Sequence, residues 1–142
     1  MDVYSGYIPH PTPETLPYFQ GLKNHKLMLQ KCLNCDVTYF YPRPICPACG
    51  SRDTHWYVAS GKGTLYSYVI SHRNTPGYQA PYVIAVVELE EGPRMMSNLI
   101  DIAPSPDYIT CDMPLEIYFD DVTDTTTLPR FKPFRGDSQH DS

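Results

Sequence analysis

Four of the five cysteines in this 142-residue chain fall into one pattern, Cys32-x2-Cys35-x10-Cys46-x2-Cys49. Each Cys-x2-Cys makes a knuckle, a tight turn that aims two thiolates at one point, and two knuckles complete a tetrahedral set of four sulfurs. A segment so constrained is expected to fold as a small ribbon around a metal ion. The second knuckle reads Cys46-Pro47-Ala48-Cys49-Gly50, with a glycine available for the positive φ such a turn often takes. The first has Asp36 in the equivalent place, a residue that tolerates left-handed backbone better than most. The ten-residue spacer is short, but it suffices for a hairpin.

Disulfides are disfavoured for these thiols. Met1-Asp2-Val3-Tyr4-Ser5 does not open like a secretory signal, and no run approaches the roughly 20 apolar residues of a membrane span. The expected location is the cytoplasm, where thiols stay reduced. Tetrahedral sulfur suits zinc and also a rubredoxin-type iron; zinc is the expected metal. With all four positions filled by thiolate, none remains open for water or substrate, so the ion is expected to be structural. Cys111 stands apart with no base near it in sequence, and is expected to be a small buried residue.

The rest of the chain is shaped by 15 prolines and 12 tyrosines. Proline breaks helix interiors and tyrosine favours strands, so a helical bundle is excluded in favour of short strands and proline-punctuated loops. Residues 1–13 read as an extended arm. Over residues 13–31, Leu16, Phe19, Leu22, Leu27 and Met28 recur at near-helical spacing with breaks at Gly21 and Asn24, predicting one helix or two short ones. The ribbon follows at about 30–55, then a link over 56–63. Beyond it five strands are predicted, at 64–71, 82–89, 94–100, 115–122 and 128–134. Mainly β, the chain divides into an arm and helical segment (1–30), a zinc ribbon (31–60) and a five-stranded domain (61–142). An OB barrel has that strand count, with a five-stranded sandwich as the alternative, and loop 72–81 lies where OB barrels bind ligands.

Charge separates function classes. Residues 1–62 hold six basic and four acidic side chains, +2, and residues 63–142 hold five and twelve, −7, together the net −5. Nucleic-acid binding needs cations against phosphates, so the acidic half is a poor candidate. The chain also lacks a Gly-x-Ser-x-Gly elbow, a phosphate-binding glycine loop and a His-Glu-x-x-His metal motif. Its histidines, His10, His25, His55, His72 and His140, are scattered.

The order of segments carries a resemblance. A helix with aromatic residues precedes Leu29-Gln30-Lys31-Cys32-Leu33-Asn34-Cys35. Next come Tyr41-Pro42-Arg43-Pro44-Ile45-Cys46-Pro47-Ala48-Cys49-Gly50-Ser51 and Gly61-Lys62-Gly63-Thr64-Leu65-Tyr66-Ser67-Tyr68. Pro81-Tyr82-Val83-Ile84-Ala85-Val86-Val87-Glu88-Leu89 and Leu128-Pro129-Arg130-Phe131-Lys132-Pro133 follow. This series resembles the zinc-ribbon/OB-fold proteins of domain-of-unknown-function family 35, from about residue 19 to 134. Asp36 departs from the family's usual glycine.

The resemblance implies a non-catalytic small subunit paired with a thiolase-like acyl-CoA enzyme, such as a steroid side-chain aldolase or benzoylsuccinyl-CoA thiolase. The partner would supply the catalytic groups, in an assembly expected to be a heterotetramer. The residues proposed to meet the partner are Tyr18, Phe19, Tyr39, Phe40 and Tyr41; the alternative is that the Tyr18–Phe19 face packs on the protein's own core and that Tyr39 and Tyr41, or Phe40 alone, cover the core of the ribbon. Lys31, Arg43 and Arg52 are those proposed to meet phosphates of CoA or acyl-CoA at the partner interface. No membrane or nucleic-acid partner is expected. The alternative is a single-strand nucleic-acid module, since ribbons and OB barrels both serve that role.

Overall fold

A computed structural model describes Gly6 and residues 9–134; the rest of the expected N-terminal arm and His140 lie outside the described residues. The chain opens with one helix, α1 (Leu16–Lys23), whose Pro17 sits in the first turn, where a missing N–H costs no internal bond. It ends at the break expected at Asn24, and in place of a second short helix over Leu27 and Met28 a strand follows. His25 takes φ 58, reversing the chain, and residues 28–32 run as a strand against the helix. Gly21 permits that return, since a Cβ there would lie 2.3 Å from Cγ of Met28. Tertiary packing overrides the helical periodicity of the sequence.

The ribbon is a three-stranded antiparallel sheet in the order β2-β1-β3, from β1 (Met28–Cys32), β2 (Thr38–Tyr39) and β3 (Thr54–Val58). β3 occupies part of the segment that the sequence reads as a link. Its five residues pair with the whole of β1, from Met28↔Val58 to Cys32↔Thr54.

The acidic half holds the five predicted strands: β4 (Lys62–Ser71), β5 (Tyr82–Leu89), β6 (Arg94–Leu99), β7 (Pro114–Asp121) and β8 (Thr127–Pro133). They close as a barrel in the order β4-β5-β6-β8-β7, with β7 returning to β4. The one parallel junction pairs Leu99 of β6 with Phe131 of β8. Five strands in a closed Greek-key barrel are the OB arrangement, not a sandwich. β5 shows why the strands form: Val83, Ala85, Val87 and Leu89 point inward, while Tyr82, Ile84, Val86 and Glu88 alternate outward.

One buried cluster spans both parts. Leu27 and Leu29 of the ribbon and Tyr18 and Leu22 of α1 join Leu65, Val87, Leu115 and Phe131 of the barrel. Loop 72–81 is tied down by Arg130, whose buried guanidinium donates to Tyr78 Oη, to Asn98 Oδ1 at 2.9 Å and to Asp120 Oδ2 at 3.1 Å. Cys111, expected to be buried, is exposed on the connection between β6 and β7; Ile109 fills the interior there instead.

Candidate metal centre and partner surface

The two knuckles fold alike because each is closed by the same pair of backbone bonds. In the first, Asp36 N–H donates to Cys32 O and Cys32 N–H to Val37 O, both at 2.9 Å. In the second, Gly50 N–H donates to Cys46 O and Cys46 N–H to Ser51 O, again at 2.9 Å. Asp36 and Gly50 take φ 64 and 79, the left-handed geometry expected of both positions. The result is a cluster in which the sulfurs of Cys32, Cys35, Cys46 and Cys49 all lie within 4.8 Å of one another.

The spacing of these sulfurs fits a bound ion. A tetrahedron with metal–sulfur bonds of about 2.3 Å has edges of about 3.8 Å. Cys32 Sγ lies 3.6 Å from Cys49 Sγ, and Cys35 Sγ lies 3.7 Å from Cys46 Sγ. All four are free thiols, far beyond the roughly 2.05 Å of a disulfide. Cys32 and Cys46 are buried, whereas Cys35 and Cys49 face outward.

Donors surround the sulfurs, as negative charge on them requires. Asn34 and Ala48 aim backbone N–H groups at Cys32 Sγ and Cys46 Sγ, each at 3.3 Å. Asn34 also directs its side-chain Nδ2 to Cys49 Sγ at 3.5 Å. That bond, followed by the Ser51 backbone N–H, lowers the Cys49 thiol to about 6. At Cys35 the Val37 backbone N–H favours the thiolate, but burial and three neighbouring sulfurs outweigh it and push the thiol up to about 12. Four sulfurs this close cannot all ionise without a cation among them. The cysteines would hold the metal as four thiolates, and its chemistry there is to tie the two knuckles together.

Around the centre, the inter-knuckle segment is rigidly held. Gln30, buried on β1, donates from Nε2 to Arg43 O at 2.9 Å and accepts the Arg43 N–H at 2.8 Å. Tyr39 donates its hydroxyl to the same carbonyl at 3.1 Å. Neither side chain, Gln30 or Asn34, stands out in sequence, since each bonds a backbone or sulfur atom at least 13 residues away.

The proposed partner residues divide by burial. Tyr18 edges against Phe19, Phe40 and Tyr41 at 4.9, 5.4 and 5.9 Å between ring centroids, joining helix to ribbon. It is buried, and that burial, together with Tyr41, raises its phenol well above the usual value. Tyr39 is buried with Cys32 and Cys46 in a small core of its own. Neither tyrosine offers a surface to a partner: Tyr18 packs into the main core and Tyr39 into the small core of the ribbon itself. Tyr41, Arg43 and Arg52 are exposed, while Phe19, Phe40 and Lys31 are half-buried. Lys31 meets Asp36 at 3.9 Å. Leu33, Val37 and Ile45 add exposed apolar surface around the knuckles.

Two family models match in the order of the structural units: the rubredoxin-like zinc ribbon domain of ChsH2 over residues 19–55, and the C-terminal OB-fold domain of ChsH2 over residues 56–120. Among similar proteins is a probable enoyl-CoA hydratase alpha subunit of Thermomonospora curvata, 39% identical over 117 residues. That match covers 82% of this chain but 36% of the hydratase subunit. A DUF35 domain-containing scaffold protein of Methanocaldococcus jannaschii is 42% identical over 82 residues, 56% of this chain and 58% of its own length. The chain thus spans only part of both relatives.

Among solved structures, a chain of an Ltp2-ChsH2(DUF35) aldolase superposes with a TM-score of 0.80 at 36% identity, covering 88% of this chain and 98% of that one. A DUF35 protein of unknown function from Sulfolobus solfataricus shares the fold, with a TM-score of 0.61 at 16% identity. With ribbon and barrel both matched in order, the chain belongs to the DUF35 family, in its ChsH2-like branch of zinc-ribbon/OB-fold proteins.

Proposed function

We propose that this chain is a non-catalytic accessory subunit of a thiolase-like acyl-CoA-processing enzyme, stabilising its partner and helping to shape the acyl-CoA site. The observation that carries this reading is the likeness to a chain of the Ltp2-ChsH2(DUF35) aldolase over 98% of that chain. The names of similar proteins, a hydratase alpha subunit and scaffold proteins, agree with a role exercised on another protein. Zinc, held by Cys32, Cys35, Cys46 and Cys49, is structural in this reading: four sulfurs leave it no open coordination position.

The partner surface in this reading is built around exposed Tyr41, whose ring meets Phe40, with Phe19 in the same aromatic group through Tyr18; Leu33, Val37 and Ile45 are further exposed apolar residues of the ribbon. Arg43, Arg52 and Lys31 are the cations available to CoA phosphates at that interface. The complex is a cytoplasmic heterotetramer of two small and two large subunits. No helix among the described residues is long and apolar enough to cross a membrane.

Co-expression with a thiolase-like acyl-CoA enzyme from the same genome tests this. Co-elution at the mass of a two-plus-two assembly, with turnover of an acyl-CoA only from the pair, is expected. A chain that ignores that protein, or that binds single-stranded DNA tightly with steep salt dependence, would return the reading to the nucleic-acid alternative.

A further inference from the structure

The ribbon sheet has two open edges, and they differ. β2 is two residues long and is followed by Pro42 and Pro44, so it presents little to pair with. β3 is five residues long, Thr54-His55-Trp56-Tyr57-Val58, with neither proline nor lysine to blunt it.

The phase of its hydrogen bonds is fixed. Ala59 N–H donates to Leu27 O and Leu33 N–H to Asp53 O, both at 2.7 Å. In the register Met28↔Val58 to Cys32↔Thr54, residues 53, 55, 57 and 59 therefore face β1. The backbone groups of Thr54, Trp56 and Val58 face away. Among the described residues, the N–H groups of Trp56 and Val58 and the carbonyls of Thr54, Trp56 and Val58 have no hydrogen-bond partner. Val58 is also 53% exposed, so its side of the edge is open.

We propose that this edge pairs with the same edge of a second copy of the chain, antiparallel and about a two-fold axis at Trp56, giving a continuous six-stranded sheet. The argument for a second copy is self-complementarity. An axis at Trp56 sets Trp56 opposite Trp56 of the second copy and Thr54 opposite Val58 as hydrogen-bonded pairs, with His55 opposite Tyr57 between them. β-branched residues meet β-branched, aromatic rings meet rings, and no like charges are opposed. The outward N–H groups of Trp56 and Val58 and the carbonyls of Thr54, Trp56 and Val58 serve such a register, while Thr54 N–H, which donates to Arg52 O at 3.0 Å, would have to leave that bond to complete the outermost pair. The inference stands apart from the proposed partner enzyme, because it concerns the isolated chain.

The test uses the full, zinc-loaded chain alone. Light scattering on a sizing column is expected to give twice the 16.2 kDa chain mass at high concentration and the single mass on dilution. Trp56, the one tryptophan in the sequence, supplies an independent readout at the axis, its emission shifting over the same concentration range. Val58→Pro removes an outward N–H while leaving the β1–β3 ladder whole, and is expected to weaken association at least tenfold with zinc content unchanged. If that variant misfolds, Val58→Lys places a charge at the same point and serves instead. A chain that stays single at every concentration, or a dimer indifferent to a folded Val58 variant, overturns the proposal.

Discussion

The side-chain amide of Gln30 clasps the backbone of Arg43, giving one hydrogen bond and taking another, at 2.9 and 2.8 Å. A strand residue thereby ties down the segment between the knuckles. Gln30→Leu keeps the volume but strands the Arg43 N–H and leaves the Arg43 carbonyl with the Tyr39 hydroxyl alone. A loss of about 2 kcal/mol is expected in denaturant unfolding of the zinc-loaded chain, with weaker zinc retention against a chelator. Unchanged stability and retention would show that the clasp does not matter.

Removing one thiolate breaks the centre more severely. Cys46→Ser is expected to lower bound zinc from one per chain to near zero and to leave the inter-knuckle segment open to protease. Metal binding and ribbon folding are coupled, because the ligands converge only in the folded ribbon. Elemental analysis and limited proteolysis, before and after chelation, measure both. A Cys46→Ser chain that keeps stoichiometric zinc would contradict the four-thiolate assignment.

Arg130 holds loop 72–81 through Tyr78 while pairing with Asp120. Arg130→Met leaves the oxygens of Asn98 and Asp120 without their donor. A destabilisation of about 2–3 kcal/mol is expected, below the range for fully buried pairs because Asp120 is 38% exposed. Faster cleavage within residues 72–81 should accompany it. Equal cleavage rates would mean the loop is anchored by other contacts.

Gly63 leaves no room for a side chain: an added Cβ would lie 2.6 Å from Glu88 O and 2.9 Å from Val87 Cγ1. Gly63→Ala must push β4 from β5, at an expected cost of about 1–3 kcal/mol. Thermal unfolding reads it directly.

Asp121 accepts hydrogen bonds from Thr127 and from His25 Nε2, and these hold its carboxyl below the usual carboxylate value. A carboxylate lowered in the folded state stabilises above its unfolded pKa of roughly 3.9, and that contribution disappears as pH falls through the folded value. Asp121→Asn should therefore unfold at lower temperature than the parent near pH 7. The gap should close at the acid end of a melting series. A gap that stays constant with pH would assign the effect to packing of His25 on Phe119 instead.

What the sequence made legible followed from local chemistry. The knuckles are written in Cys-x2-Cys with Asp36 and Gly50 at the left-handed positions. The barrel strands are written in alternation, as in Tyr82-Val83-Ile84-Ala85-Val86-Val87. β3 was hidden because Trp56-Tyr57-Val58 has no polar alternation: Trp56 and Tyr57 pack on the core from opposite faces of one strand. α1 stops at the Asn24 break, and what the sequence hid is the strand that follows, because Leu27 and Leu29 owe their burial to the barrel, not to a helical face. The burial of Tyr18 is not legible in sequence because the rings of Phe40 and Tyr41 that pack on it lie more than 20 residues away, whereas Tyr39 is covered within its own ribbon by Cys32 and Cys46. The Gln30 clasp depends on a backbone amide 13 residues away, and no residue pattern announces it.

Leu27 and Leu29 lie in the same buried cluster as Leu115 and Phe131. A metal held between residues 32 and 49 would therefore stiffen strands that lie outside the ribbon. Stripping the ion should quicken amide exchange in β7 and β8 as well as in the knuckles. The barrel would then serve as a remote gauge of whether the ribbon is loaded.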